Sequence, residues 1–162
     1  MKKVLFVLLM TTTVLGLMSC SFFGDEPQEF SGTGITITLN DSFQETDTMF
    51  VPFYVESFDY IFTGERESKD LFVGSEINSL EAYANAVLEY SDSDGEEVQE
   101  SDNGNYVYSY YTSTVDEEEF GYMLVCMESD DYYYLMNFAC YEDKFEDSKD
   151  KFFDWADTIV VE

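Results

Sequence analysis

The sequence contains no histidine and few basic residues. Its 162 residues include 35 Asp and Glu against 7 Lys and Arg, so the formal net charge is −28. The absence of histidine excludes Ser/His and Cys/His nucleophile pairs, most zinc sites and the usual proton shuttle at neutral pH. The scarcity of Lys and Arg argues against a nucleic-acid partner and against polybasic attraction to anionic lipid.

Proline is also scarce, with 2 residues, and the chain lacks the composition of a disordered acidic protein. Its residues are 45% hydrophobic and 18% aromatic, which is too apolar for an unfolded polyanion. No second linker, repeat or low-complexity tract interrupts residues 33–162. We therefore predict one domain there, of an ordinary size for a single hydrophobic core.

The N-terminus has the pattern of an export signal. Lys2 and Lys3 precede an apolar stretch that is shorter than a typical membrane span and ends at Leu17-Met18-Ser19-Cys20. This ending resembles the lipobox of bacterial lipoproteins, in which the signal is cut before a diacylated cysteine. The alternative is an ordinary signal peptide whose cysteine is accidental.

The lipobox resemblance implies a signal peptide over residues 1–19 and lipid attachment at Cys20. Residues 20–32 then form an acylated, flexible tether, since they mix Ser, Gly, Pro27 and acids. The protein would be exported and anchored to the bacterial cell membrane, facing the outside or the periplasm. Without residues 1–19, 5 basic residues remain against 35 acidic ones.

Two further cysteines, Cys126 and Cys140, would lie on the exported side, where disulfides persist. We place them on adjacent strands of a hairpin in which Cys126 faces Tyr134, so a simple cross-strand bridge does not fit. Two buried free thiols are the favoured interpretation, with the disulfide left open.

Alternating apolar and β-branched residues predict a mainly antiparallel sheet of six or seven strands. Asn103-Gly104 is typical of a two-residue hairpin turn, and Pro52 favours an edge position. The predicted strands are Gly34–Leu39, Met49–Val55, Tyr60–Gly64, Glu97–Asp102, Asn105–Ser113, Phe120–Met127 and Tyr132–Cys140.

Two helices are predicted between and after these strands. The first follows Asn78, interpreted as its N-cap, with Glu81 completing a capping box. The second runs from about Lys144 to Thr158. Helical spacing predicts that each packs one apolar face on the sheet: Leu80, Tyr83, Ala84, Val87 and Leu88 in the first, and Phe145, Phe152, Trp155, Ala156 and Ile159 in the second.

The order of these elements resembles the small exported PsbP-like proteins. The resemblance rests on the opening Gly34–Leu39 strand, the Leu80-Glu81-Ala82-Tyr83 helix start, the Phe138-Ala139-Cys140 strand and the closing Ala156–Ile159 segment. It implies an α+β fold in which an antiparallel sheet is sandwiched between helices. It transfers no catalytic residue, and nothing here matches a photosystem or GTPase partner.

Two acidic segments are weak candidates for a divalent cation, with calcium the only cofactor considered. Asp92, Asp94 and Glu96 lie in one acidic loop, but an EF-hand register fails at its first and last ligand positions. Asp116 and Glu117 open a run of four acids between two strands. The simpler interpretation of both segments is a solvated turn.

Tyrosine is unusually frequent, with 13 residues. Because alternate strand residues share a face, Tyr106, Tyr108 and Tyr110 should lie opposite Tyr111, and Tyr132 and Tyr134 opposite Tyr133. Core packing is favoured over a ligand surface.

The function favoured from sequence is therefore a non-catalytic binding or envelope-associated module with an unidentified protein or glycan ligand. A carbohydrate hydrolase using a carboxylate pair and a divalent-cation-binding surface protein remain alternatives. With so many acids, a suitably spaced pair is expected by chance, so the count alone does not favour the hydrolase.

Overall fold

The computed structural model describes residues 26–40, 43–48, 51–91 and 95–162. Within these residues the chain forms two α-helices, ten strands and a 3-10 turn at Lys69–Phe72. The elements are β1 (Gln28–Gly32), β2 (Ile35–Leu39), β3 (Gln44–Glu45), β4 (Phe53–Glu56), β5 (Tyr60–Ser68), α1 (Leu80–Tyr90), β6 (Gln99–Glu100), β7 (Val107–Val115), β8 (Glu118–Glu128), β9 (Tyr132–Tyr141), α2 (Glu142–Ala156) and β10 (Val160–Val161).

The strands form one large sheet and one small sheet, and every strand pair is antiparallel. The large sheet has the order β3-β4-β5-β9-β8-β7-β6, and the small sheet has the order β1-β2-β10. The predicted α+β fold with a mainly antiparallel sheet and two packed helices is confirmed. The division into two sheets was not predicted.

The small sheet changes the interpretation of residues 28–32, which the sequence assigns to the tether. They form β1, which pairs along its whole length with β2. Phe30 is buried opposite Ile37, and this apolar contact explains why a Ser- and Gly-containing segment is ordered. Cys20 and the rest of the predicted tether before Glu26 lie outside the described residues.

The main core lies between one face of the large sheet and a layer made of α2 and the small sheet. Aromatic residues dominate it, with Phe138, Phe152 and Trp155 in mutual contact. The buried face of α2 agrees with the predicted one at Phe145, Phe152, Trp155 and Ala156. This face of the sheet is therefore closed.

The opposite face of the large sheet is packed by α1. The buried residues of α1 are Tyr83, Ala84 and Leu88, and they contact Leu124, Cys126 and Tyr133 on the sheet. With 11 residues, α1 is about 16 Å long, whereas the 11 residues of β8 extend over about 36 Å. The helix thus leaves part of this face uncovered.

Two predicted details were wrong at the level of single residues. Ser79, not Asn78, is the N-cap of α1, because its side chain accepts a hydrogen bond from the Ala82 N–H. The hairpin at Asn103-Gly104 is a longer loop, since pairing resumes between Glu100 and Val107. Asn103 organises that loop by accepting hydrogen bonds from Ser101 and from the Asn105 N–H.

Cys126 and Cys140 are buried free thiols, as the sequence favoured. Cys126 lies opposite Leu135 and not opposite the predicted Tyr134, while Cys140 lies opposite Gly121. Burial raises the pKa of both thiols, so they remain protonated at neutral pH.

Candidate functional site

A half-open groove of about 570 Å³ lies beside α1, where the helix stops covering the large sheet. One wall is the side of α1 that carries Ala86, Val87 and Tyr90. Residues of β5, β9 and β7 form its floor, and Phe72 and Ile77 lie at its edge. We call this cavity the α1 groove. Its volume is within the usual range of small-molecule sites.

Two carboxylates on β5 lie in the floor of the α1 groove. Glu65 and Glu67 are two residues apart on a strand, so both side chains point to the α1 side of the sheet. The Tyr83 hydroxyl donates a 2.6 Å hydrogen bond to Oε2 of Glu67. Burial raises the pKa of Tyr83, which keeps this phenol a neutral donor.

The environment of Glu65 disfavours its charge. Burial is the main cause of a raised Glu65 pKa, and repulsion from Glu67 adds to it. Ionisation therefore costs the folded protein stability. The cost grows as the pH rises from the unfolded pKa through the folded pKa and is absent below both values.

The groove continues onto the part of the sheet that α1 leaves uncovered. Tyr111 lies at the junction, where its hydroxyl donates a 3.0 Å hydrogen bond to Oδ1 of Asn137. Its ring stacks on Tyr122 at 4.7 Å between centroids, and Phe120 stacks on Tyr141 at 5.0 Å. We call Tyr111, Tyr122, Phe120 and Tyr141 the open aromatic face.

The predicted alternation of the tyrosines is borne out by their packing. Tyr106 and Tyr110 belong to the core under α2, whereas Tyr111 packs on the α1 side. The packing interpretation is confirmed for the buried members Tyr106, Tyr110, Tyr133 and Tyr134. Tyr108, Tyr111, Tyr122 and Tyr132 are only half-buried. Of these, Tyr111 and Tyr122 lie on the α1 side of the sheet, where a ligand in the groove could reach them.

No Lys or Arg lines the α1 groove among the residues that the structure describes. The five Lys and Arg residues within the described ranges all contact carboxylates or aromatic rings outside the groove. Lys144 pairs with Asp59, and Lys149 lies 2.7 Å from Glu146. The other three lie over aromatic rings: Arg66 over Tyr132, Lys69 over Tyr133, and Lys151 over Tyr60 and Trp155. Lys69 also forms an ion pair with Glu128.

Of the acidic residues singled out from sequence, the structure describes Glu96, Asp116 and Glu117. Asp92 and Asp94 lie outside the described residues. Glu96 is exposed, and its backbone pairs with Tyr110 and Ser109 at the edge of β7. Asp116 and Glu117 form the tight β7–β8 turn, and both have positive φ. This turn lies about 20 Å further along β7 than Tyr110, the residue that pairs with Glu96. Among the described acids, Glu96 therefore shares no site with Asp116 and Glu117.

Over the described ranges, His, Cys, Asp and Glu form no group of three or more suited to a metal ion. The helices in the same ranges are all too short or too polar to cross a bilayer.

Glu65 and Glu67 were not singled out from sequence. They lie in the polar run Thr63–Ser68, whereas a carboxyl with a raised pKa is sought within an apolar run. Their surroundings come from α1 and from Leu135 and Asn137, which are distant in sequence. The available signal was weak: a Glu-Arg-Glu alternation that places both acids on one face of a predicted strand.

Comparison with known proteins gives matches only at the level of structure. No family model matches the chain, and no curated protein does. The solution structure of the cyanobacterial PsbP protein CyanoP from Synechocystis is similar with a TM-score of 0.51 and 16% identity, over 90% of this chain and 99% of that one.

A crystal structure of a protein from Bacteroides thetaiotaomicron is also similar, with a TM-score of 0.51 and 11% identity over 86% of this chain. The match covers 49% of that protein, about half its length. Identities this low establish the fold and not the ligand. The chain has the PsbP-like α+β fold.

Proposed function

We propose that this protein is a non-catalytic binding module, exported and held at a membrane by lipid on Cys20, which takes a small amphipathic ligand in the α1 groove. The groove carries the proposal, since it combines apolar walls with a few convergent polar groups, as small-molecule sites do. The lipid anchor is supported by the Leu17-Met18-Ser19-Cys20 pattern.

Binding in the groove is tested by filling it. Wild-type protein is expected to raise the fluorescence of Nile red, a neutral apolar dye, and Ala86→Trp should weaken this binding at least tenfold because the indole occupies the cavity. Asn85→Trp is the matched control, since Asn85 is an exposed neighbour on α1 that does not line the groove. Equal binding by wild type and Ala86→Trp would place the site elsewhere and contradict the proposal.

Lipid attachment is tested in a bacterial host with a radiolabelled fatty acid. Wild-type protein should be labelled and recovered with membranes, whereas Cys20→Ser should lose the label and leave the membrane fraction. Cys140→Ser, which removes a buried thiol of the domain, should keep the label. Continued labelling of Cys20→Ser would refute the assignment of the anchor.

Carbohydrate hydrolysis is a second candidate, because the groove places two carboxylates near apolar walls and one of them has a raised pKa. Glycosidases, however, need an acid on each side of the scissile bond. Glu65 and Glu67 project from one strand into one floor, which favours binding. Turnover of fluorogenic glycosides that is lost in Glu65→Gln would reverse this preference.

A further inference from the structure

We propose that the ligand of the α1 groove is a small amphipathic amine, whose ammonium group is held by Glu65 and Glu67 while its apolar part packs on the groove walls. This inference rests on the proposed function and names its ligand class. It follows from three features of the described residues: uncompensated charge in the groove, a matching ion pair elsewhere in the protein, and the size of the cavity.

The groove concentrates negative charge without a cation of its own. The Cα atoms of Glu65 and Glu67 are about 7 Å apart, given the rise of a β-strand. Tyr83 donates to one oxygen of Glu67, and within the described chain the Glu65 carboxylate takes part in no hydrogen bond or ion pair. An ammonium group has three donors, so it can serve both carboxylates together and relieve their repulsion.

The same face of the sheet already binds an ammonium group in this way. Lys69 Nζ lies 2.7 Å from Oε2 of Glu128 and 4.9 Å from the ring centroid of Tyr133. A carboxylate and a tyrosine ring together thus form its binding site, a combination that favours cations. The groove offers the same chemistry, with Glu65 and Glu67 near Tyr111 and Tyr83, but without a lysine.

The cavity is the size of a whole small molecule. Its volume of about 570 Å³ is larger than one lysine side chain fills, and most of its exposed lining is apolar. A simple ammonium ion would leave those walls in contact with water, and a neutral hydrophobe would further desolvate both carboxylates without supplying a cation to either. A free amine with an apolar body satisfies both parts of the groove.

The test compares three probes of nearly equal shape: 4-phenylbutylamine, 4-phenylbutanol and 4-phenylbutyrate, measured by calorimetry at pH 7. The amine is expected to bind about tenfold more tightly than the alcohol, as one charge-assisted hydrogen bond would give, and the carboxylate should bind most weakly. Glu65→Gln and Glu67→Gln should each remove most of this preference, so that the ratio of amine affinity to alcohol affinity falls towards one. Glu89→Gln, an exposed acid on α1 outside the groove, is the control for net charge.

The outcomes separate this inference from the proposed function. Equal affinity for the amine and the alcohol would overturn the assignment of an amine as the ligand. If both probes still displaced Nile red, the groove would remain the binding site. Failure of all probes and of Nile red would overturn both. Equal loss of amine affinity in Glu65→Gln and Glu89→Gln would show that the net charge of the protein causes the preference for the amine. Tighter binding of a lysine-containing peptide than of 4-phenylbutylamine would show that the ligand is not a small molecule. Both outcomes overturn the inference.

Protein stability provides the folding control. Because ionised Glu65 is desolvated and repelled by Glu67, Glu65→Gln should unfold at a temperature no lower than wild type at pH 7. Lost amine binding in a variant of undiminished stability then reports on recognition alone.

Discussion

Replacement of Phe152 by Ala is expected to lower the free energy of unfolding by about 3–5 kcal/mol, the usual cost of removing a buried aromatic ring. Phe152 is fully buried on α2 and stacks on Phe138 of β9 at 5.4 Å between centroids. It also contacts Tyr60 and Trp155, so its removal leaves a cavity at the centre of the main core. Urea denaturation followed by circular dichroism measures the change.

Phe58→Ala is the matched control for this experiment. Phe58 lies in the β4–β5 turn with 96% of its side chain exposed, so the same substitution should cost less than about 0.5 kcal/mol. A cost for Phe152→Ala as small as that for Phe58→Ala would contradict the packing of α2 on the large sheet. Since α2 covers the face opposite the α1 groove, the experiment tests the scaffold separately from the site.

Gly121→Ala is expected to destabilise the protein by about 1–3 kcal/mol through overpacking. Gly121 lies on β8 beneath α2, where an added Cβ atom would overlap the ring and Cβ of Phe145. Alanine is ordinarily better than glycine within a strand, by roughly 0.5–1 kcal/mol, so destabilisation here would identify a steric cause. Thermal and urea unfolding should both show the loss.

A double-mutant cycle with Phe145→Ala tests that cause. Truncating Phe145 removes the ring that the new methyl group would meet, so Gly121→Ala should cost much less in the Phe145→Ala background than in wild type. Additive costs would show that α2 does not approach β8 at this point. The cycle therefore measures the contact itself and not merely the tolerance of the strand.

Features of this fold that depend on local period were predictable from sequence. The faces of the β7 and β9 tyrosines follow from the two-residue repeat of a strand, and the buried positions of α2 follow from helical spacing. The predicted ends of helices and strands were less accurate where neighbouring polar side chains compete for the same backbone N–H groups. Ser79 takes the N-cap because its hydroxyl reaches the Ala82 N–H, and Asn103 bonds within its own loop.

Features that depend on distant packing were not predictable from a single sequence. The strand at Gln28–Gly32 owes its order to pairing with β2, and β10 joins the same sheet from the C-terminal end of the chain. Similarly, Glu65 acquires its environment from α1 and β9, while its sequence neighbours are polar. The candidate site thus emerged from tertiary structure, whereas the acids singled out from sequence lie in the β7–β8 turn, at the edge of β7 or outside the described residues.

The length difference between α1 and the strands beneath it has a consequence for related chains. Helix α1 ends at Tyr90, and the α1 groove begins where its cover ends. Insertion of one helical turn before Ser91 would lengthen α1 by about 5.4 Å at the end where Tyr90 and Ser91 line the groove, without altering the sheet. Deletion there would remove that part of the wall. The length of this one helix can therefore resize the ligand site while the core sequence stays the same.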